Sequence, residues 1–180
     1  METALWTHPA YPALALDGEI RVAVERLSRT ELRLRYVVSG RVGELVVPPP
    51  APPLRTDNLW ESTCFEAFLA TEGFPDYREL NFSPSSQWAA YDFSNYRTGR
   101  AQAALPAPPD IRVERRADRL AVSVSLSLDL PDEPHRLGLA AVIEERNGSK
   151  SYWALAHPGE APDFHRRDCF VLELPAAERS

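Results

Sequence analysis

The sequence has little of what marks membrane-spanning, secreted or nucleic-acid-binding proteins. No apolar run reaches the length of about eighteen residues that a transmembrane helix needs, and the N-terminus lacks the basic and apolar segments of a secretory signal. Lysine occurs only at position 150, and the arginines form no basic tail or stripe. The net charge of −6 offers no surface for nucleic acid or an anionic membrane. We therefore expect a cytoplasmic protein that binds neither.

Cysteine and metal-ligand clusters are also scarce. Cys64 and Cys169 are too few for a disulfide framework, and each lies in an apolar run where a free cysteine acts as a small buried hydrophobe. The one cluster with metal-ligand content, "HPGEAPDFHRRD", is interpreted as a polar loop before the last strand. No acidic loop has a recognisable calcium-ligand spacing. We expect reduced thiols, no metal and no cofactor.

Alternation of apolar and polar residues dominates the chain, and no segment has a convincing helical stripe. In "RLAVSVSLSLDL" one residue in two is apolar, which is typical of a half-buried antiparallel strand. Asn147-Gly148 lies between two such runs and is a strong hairpin signal. Further strands are predicted at "EIRVAVERL", "ELRLRYVVSG", "GELVV", "CFEAFLA", "YRELNFS", "QWAAYDFS", "IRVERRA", "LGLAAVIEE", "SYWALA" and "CFVLEL". About ten short strands predict one domain, residues 1–180, folded as an antiparallel β-sandwich, with a barrel as the second choice.

The stretch from Glu79 to Gly99 concentrates aromatic side chains among polar ones. It is predicted to form a hairpin, with "SPSS" as its turn. Trp88 and Ala90 would then face one way and Tyr91 and Phe93 the other. We expect most of these aromatic residues to be core, and "SNYRTG" to be a loop at the rim, where binding groups are often displayed.

Glu66 is the acid in the least expected surroundings. On a regular strand, Phe65 and Ala67 form the core face, and Glu66 shares the opposite face with Trp60 and Phe68. Three situations would account for a carboxylate there: a solvated sheet face, an ion pair with arginine, or the wall of a concave site.

The strings "LW-x-x-TCFE" and "NFSPS-x-QWAAY-x-F-x-x-YR" resemble those of the DOMON-like domains, relatives of family nine carbohydrate-binding modules and of haem- or sugar-binding DOMON sandwiches. The resemblance extends over nearly the whole chain. It implies a jelly-roll β-sandwich that binds a small ligand, with a sugar favoured, and no catalysis.

In the sugar-binding relatives, two tryptophans clamp a sugar ring and a strand carboxylate accepts hydrogen bonds from its hydroxyls. Residue by residue, Trp60 resembles the first tryptophan, Glu66 the carboxylate and Trp153 the second tryptophan. Stacking on indoles suits the apolar C–H faces of sugars. Plausible further polar contacts are Arg97, Asn81, Gln87 and Lys150.

Three other functions compete with sugar binding. Glu66 and Glu79 could form a glycosidase pair, but nothing in the sequence sets their separation, and no nucleophile-elbow, phosphate-loop or dinucleotide motif occurs. Haem-binding DOMON relatives ligate iron through Met with His or Lys, whereas the only methionine here is Met1, so we expect no haem. A protein-interaction module without a small ligand remains open, as does dimerisation through exposed edge strands.

Overall fold

The fold is built from one antiparallel β-sheet that curls around its own core. The computed structural model describes residues 1–130 and 133–174, which form twelve strands and three short 3-10 helices. The strands are β1 (Glu2–Thr7), β2 (Glu19–Arg26), β3 (Glu31–Ser39), β4 (Cys64–Thr71), β5 (Tyr77–Phe82), β6 (Trp88–Phe93), β7 (Ala101–Gln102), β8 (Asp110–Arg115), β9 (Arg119–Ser127), β10 (His135–Glu144), β11 (Lys150–Ala154) and β12 (Leu172–Leu174). The predicted all-β antiparallel class is confirmed. No helix in the described ranges has the length and apolar character to cross a membrane.

The strand order explains how the sheet closes on itself. The order is β7-β6-β5-β4-β10-β11-β1-β2-β3-β9-β8, and β12 pairs with β10. Although other strands separate β3 from β4, the ring of Tyr36 in β3 packs on Phe65 in β4 with centroids 5.0 Å apart. The Tyr36 hydroxyl also donates a hydrogen bond to the Glu66 carbonyl oxygen, at 2.8 Å. The sheet therefore curls until β3 and β4 meet across a shared apolar interior.

Alternating sequences supply the inward-facing residues of this main core. In β2, the buried residues Ile20, Val22 and Val24 alternate with exposed residues, and β3 has a similar alternation. Burying each such side chain contributes about 1.5–3 kcal/mol. A one-residue slip of either strand would turn its apolar side to solvent, which fixes the register.

A second apolar layer lies on the outer face of β4, β5, β6 and β10. Phe65 of β4 belongs to the main core, whereas Phe68 of the same strand packs in this outer layer beside Tyr77 and Phe93. Residues 155–171, which we call the covering segment, contribute Phe170 to the layer. The central strands are therefore buried on both faces, and their sequences are accordingly almost continuously apolar.

The predicted hairpins are present. β5 pairs with β6 as expected for the stretch from Glu79 to Gly99, with Trp88 in the main core and Tyr91 in the outer layer. β10 and β11 are joined by the Asn147-Gly148 turn, in which Gly148 has a φ of +86° that glycine adopts without a steric penalty.

Two predicted strands differ from the structure, and two strands were not predicted. "GELVV" overlaps the end of the 3-10 helix Val42–Glu44 and forms no strand, because Val42 and Leu45 both turn into the core. In "CFVLEL" only Leu172–Leu174 is a strand, since Phe170 enters the outer layer instead. β1 and the two-residue β7 were missed. Cys64 and Cys169 are free and buried.

Candidate ligand-binding site

A cleft of about 430 Å³ opens on the outer face of the sheet, beside the covering segment. Strands β4, β5, β6, β10 and β11 form its floor, and three segments outside the strands form its rim. Its lining residues are Trp60, Glu66, Glu79, Phe93, Arg97, Arg100, Val142, Tyr152, Pro162, Phe164 and His165. Aromatic rings and charged groups from distant parts of the chain thus meet at one concave surface.

Glu66 supplies a carboxylate at the floor of the cleft. Only 4% of the residue is exposed, and no hydrogen bond or ion pair to its carboxylate is formed by the described residues. Its desolvation, followed by the charge of Glu79, raises the pKa of Glu66 well above its ordinary value. Because Glu66 lines the cleft, donors of solvent or of a ligand can reach its carboxyl oxygens.

Glu79 provides a second buried carboxylate on the same face. In the β4–β5 ladder Glu66 lies opposite Asn81 and Phe68 opposite Glu79, so the two glutamates are diagonal neighbours. Asn81 Nδ2 donates to Glu79 Oε1 at 2.6 Å. Burial raises the pKa of Glu79, and this hydrogen bond and the nearby arginines only partly oppose the rise.

His165 reaches the cleft from the covering segment as a neutral imidazole. Burial, then the charge of Arg97, lowers its pKa to about 4, so its 3.7 Å approach to Glu79 is not an ion pair at neutral pH. The Tyr77 hydroxyl accepts from the Arg97 backbone N–H and lies 2.8 Å from His165 Nδ1. This network is best satisfied when Tyr77 donates to Nδ1, which leaves the proton on Nε2, facing Glu79.

The two arginines at the rim have different partners. The Arg97 guanidinium donates to Asp163 Oδ1 from Nε at 3.2 Å and from Nη2 at 2.7 Å. Burial opposes ionisation of Asp163, but its hydrogen bonds from Tyr96 and Arg97 lower its pKa. Arg100 stacks over the Tyr91 ring at 3.9 Å and forms no ion pair with a carboxylate of the described residues.

Aromatic side chains form the sides of the cleft. Trp60 lies on the 3-10 helix Leu59–Glu61 and is 49% exposed. Two hydrogen bonds hold this helix against the sheet: Lys150 Nζ donates to the Glu61 carbonyl oxygen, and Ser62 Oγ donates to Glu144 at 2.7 Å. Tyr152 and Phe164 line another side of the cleft, with ring centroids 6.3 Å apart.

Of the residues singled out in the sequence, three line the cleft and four do not. Trp60, Glu66 and Arg97 all line it. Asn81 is buried and acts through its hydrogen bond to Glu79. Gln87 accepts a hydrogen bond from Ser85 within the β5–β6 turn, and Lys150 supports the Trp60 helix.

Trp153 corrects the expected pair of stacking tryptophans. It is only 5% exposed, belongs to the main core and donates from Nε1 to Ser151 Oγ at 3.0 Å. Because residues on a strand alternate between faces, its neighbour Tyr152 points to the cleft instead. The expected clamp of Trp60 and Trp153 is therefore absent, and Tyr152 occupies the corresponding side.

Two assumptions about geometry also change. Trp60 precedes β4 and lies on a 3-10 helix, so strand parity does not explain why it shares the cleft with Glu66. The sheet face around Glu66 is a cleft and not a flat open surface, because residues of the covering segment line one side of it.

Sequence reasoning did not assign the site residues Arg100, Tyr152, Phe164 and His165, and it considered Glu79 only as one half of a glycosidase pair. Strand alternation places Glu79 on the face of Asn81 and would have identified it once the β4–β5 register was known. The covering segment has no period that predicts where Phe164 and His165 point.

The sequence matches no protein-family model and no curated protein. Among solved structures, a candidate carbohydrate-binding protein from Bacteroides uniformis ATCC 8492 superposes with a TM-score of 0.68 at 13% identity, covering 94% of this chain and 84% of that chain. A family 9 carbohydrate-binding module from Caldicellulosiruptor kristjanssonii, in complex with cellotriose, superposes with a TM-score of 0.58 at 11% identity, covering 98% of this chain and 83% of that chain. Its complex with glucose superposes with a TM-score of 0.55 at 11% identity, covering 98% of this chain and 85% of that chain. The chain shares the fold of these modules.

Proposed function

We propose that this chain is a non-catalytic carbohydrate-binding domain, a DOMON-like jelly-roll sandwich, whose sugar site is the cleft between Trp60 and Tyr152. The fold it shares with modules solved with cellotriose and glucose supports this ligand class. The cleft volume of about 430 Å³ is within the range of small-ligand sites.

The unpartnered carboxylate of Glu66 is the observation that carries the proposal. The carboxyl oxygens of Glu66 can accept hydrogen bonds whether or not the group is ionised, and sugar hydroxyls are donors. Each such hydrogen bond contributes about 0.5–1.5 kcal/mol when the carboxyl group is neutral and about 1.5–3 kcal/mol when it is charged. A ligand with vicinal hydroxyls would therefore satisfy Glu66 where the protein leaves it unsatisfied.

The aromatic sides complete a site of mixed character. Trp60 presents an exposed indole, and Tyr152 and Phe164 add apolar surface on another side. The C–H faces of a pyranose ring would pack on these rings while its hydroxyl edge turns to Glu66. Arg100, which has no carboxylate partner in the described ranges, would donate to hydroxyl or ring oxygens.

The arrangement of acids favours binding over hydrolysis. Glycosidases place their two carboxyl groups on either side of the scissile bond. Glu66 and Glu79 are instead side by side on one face of adjacent strands. A sugar resting on that face would meet both acids from the same side.

Calorimetric titration with mono- and disaccharides tests the proposal, using two substitutions on neighbouring residues of β11. We expect Tyr152→Ala to weaken sugar binding about 5- to 150-fold, as does Trp60→Ala, because each removes stacking contacts of about 1–3 kcal/mol. Trp153→Phe should lower the free energy of unfolding by about 1–3 kcal/mol and leave Kd nearly unchanged, because its side chain packs in the main core.

Glu114→Gln, on the exposed edge strand β8, serves as the control for unrelated surface changes. Absence of binding to any sugar by the folded wild-type chain would contradict the proposal. So would a Kd that Trp60→Ala and Tyr152→Ala both leave unaltered.

A further inference from the structure

The two buried glutamates of the cleft form a concentrated negative site. Glu66 and Glu79 are only 4% and 7% exposed and are diagonal neighbours on adjacent strands. Burial raises the pKa of both, and the charge of Glu79 adds to the rise for Glu66. Two close carboxylates both ionise readily only when a cation lies between or beside them.

The two arginines near the pair compensate only part of this negative charge. Arg97 lowers the pKa of both acids somewhat, but its guanidinium is already held by Asp163 through two hydrogen bonds. Arg100 also lowers the pKa of Glu79, but it is exposed at the rim and stacks on Tyr91.

The other groups facing the pair carry no positive charge. His165 on the covering segment is neutral, since its pKa is lowered to about 4. Tyr77 on β5 offers a hydroxyl whose pKa is raised by burial. The cleft residues of β10 and β11 are Val142 and Tyr152.

The aromatic lining adds attraction for positive charge. Trp60, Phe93, Tyr152 and Phe164 surround the cleft. Aromatic faces carry negative quadrupole potential and bind ammonium groups, most strongly where water is excluded. An arrangement of several rings above paired carboxylates suits a ligand that carries an amine.

We propose that the cleft selects a sugar bearing a protonated amine, with the ammonium group hydrogen-bonded to Glu66 and Glu79 and the sugar ring packed on Trp60. This inference rests on the proposed function and narrows its ligand class. An ammonium group has three donors, enough to serve both carboxylates at once, and its charge balances one of theirs. A neutral hydroxyl balances neither, and a sugar carboxylate would face both acids with the same charge.

Titration of the full chain with glucosamine, glucose and N-acetylglucosamine at about pH 7 tests the inference. The three sugars share a pyranose ring and differ in the group at one carbon: amine, hydroxyl or neutral amide. We expect glucosamine to bind at least about tenfold more tightly than either neutral sugar, and the advantage to shrink at high salt. If glucose binds as tightly as glucosamine, the inference is overturned and the proposed function stands. If none of the three binds, the inference is overturned, and the proposed function fails with it when no other mono- or disaccharide of the calorimetric titration binds either.

Glu79→Gln separates a charge effect from a change in shape. Glutamine keeps an acceptor for Asn81 and removes the charge. We expect this variant to lose about tenfold in affinity for glucosamine and clearly less for glucose, so that the preference for the amine falls.

Glu114→Gln is the matched control, because it removes one acid from an exposed strand outside the cleft. Unfolding curves establish that each variant is folded. Equal losses for glucosamine and glucose in Glu79→Gln would show that Glu79 acts through structure and would overturn the role assigned to its charge. Glu66→Gln repeats the comparison at the second carboxylate. We expect the same fall in the preference for glucosamine over glucose.

Discussion

Glu66 links the chemistry of the site to the stability of the protein. Its pKa in the folded state is raised above the unfolded value, first by burial and then by Glu79. The unfolded chain therefore loses this proton at lower pH than the folded chain does. Below the unfolded pKa, Glu66 is protonated in both states and costs no stability. As pH rises above that value and through the folded pKa, the free energy of unfolding falls.

Glu66→Gln should remove this loss. We expect wild-type protein to lose stability as pH rises above the ordinary glutamate pKa of 4.5, by up to about 1.4 kcal/mol for each pH unit over which Glu66 is protonated only in the folded state. The variant should lose less, because an amide does not ionise and needs no charge desolvation. Denaturant unfolding at several pH values gives the difference between the two proteins.

His165 titrates in the opposite sense and must be separated from this effect. Its folded pKa, lowered to about 4 by burial, makes stability fall as pH drops from the unfolded value of 6.5. Since both proteins retain His165, its contribution largely cancels in the difference. Equal pH dependence in wild type and Glu66→Gln would contradict the assignment of a desolvated acid at this position.

At the scale of elements, the covering segment converts a sheet face into a cleft. Phe170 lies against β10 at Gly138, where an added Cβ would be 2.6 Å from the Phe170 ring and 3.3 Å from Phe68. The ring also packs beside Phe68, with centroids 5.7 Å apart. Gly138 thus allows the close approach that seats this segment on the sheet.

Gly138→Ala should disturb this contact without touching the cleft lining. We expect a loss of about 1–3 kcal/mol in the free energy of unfolding, as for other overpacked cores, with weaker sugar binding because Phe164 and His165 belong to the displaced segment. Chemical denaturation and calorimetry measure the two effects. Gly148→Ala, at a turn where an added Cβ meets nothing within 4 Å but φ is +86°, is the control for a costly glycine substitution away from the site. A Gly138→Ala protein as stable as wild type would contradict the packing described.

The elements that were predictable are those with a strict alternation. β2, β3 and β9 each have one buried face, so their apolar residues recur at every second position. The same alternation correctly placed Glu66 on the face opposite Phe65. Trp153 was named through the resemblance alone, whereas the face of β11 that carries the cleft is set by its pairing with β10, a long-range contact.

The covering segment was not predictable, because its conformation comes from scattered anchors. His157 Nε2 lies 2.7 Å from the Trp6 carbonyl oxygen, and Arg167 donates to carbonyl oxygens of Phe74 and Asp76. Such contacts leave no periodic pattern in the sequence. The residues they position, Phe164 and His165, were therefore missing from the predicted site.

At the scale of the whole molecule, the curled sheet positions the site through its strand order. β4 and β5 bring the two glutamates together, while β10, inserted beside β4 from far along the chain, brings β11 and Tyr152 to the same face. The rim comes from three connections that the sheet holds in place. Aromatic, acidic and basic groups separated by up to about a hundred residues in sequence thus converge on one surface.

The central claim, that a sugar binds against Trp60 in the outer cleft, is tested most directly by the indole N–H signals in NMR spectra. The chain has four tryptophans, Trp6, Trp60, Trp88 and Trp153. Trp88 and Trp153 are buried in the main core, whereas Trp60 lines the cleft. Titration with glucosamine, and separately with glucose, should shift the Trp60 signal most and leave those of Trp88 and Trp153 nearly unchanged, with Trp60→Ala identifying the peak. A saturating sugar that moves the Trp153 or Trp88 signal and leaves Trp60 in place would contradict this account.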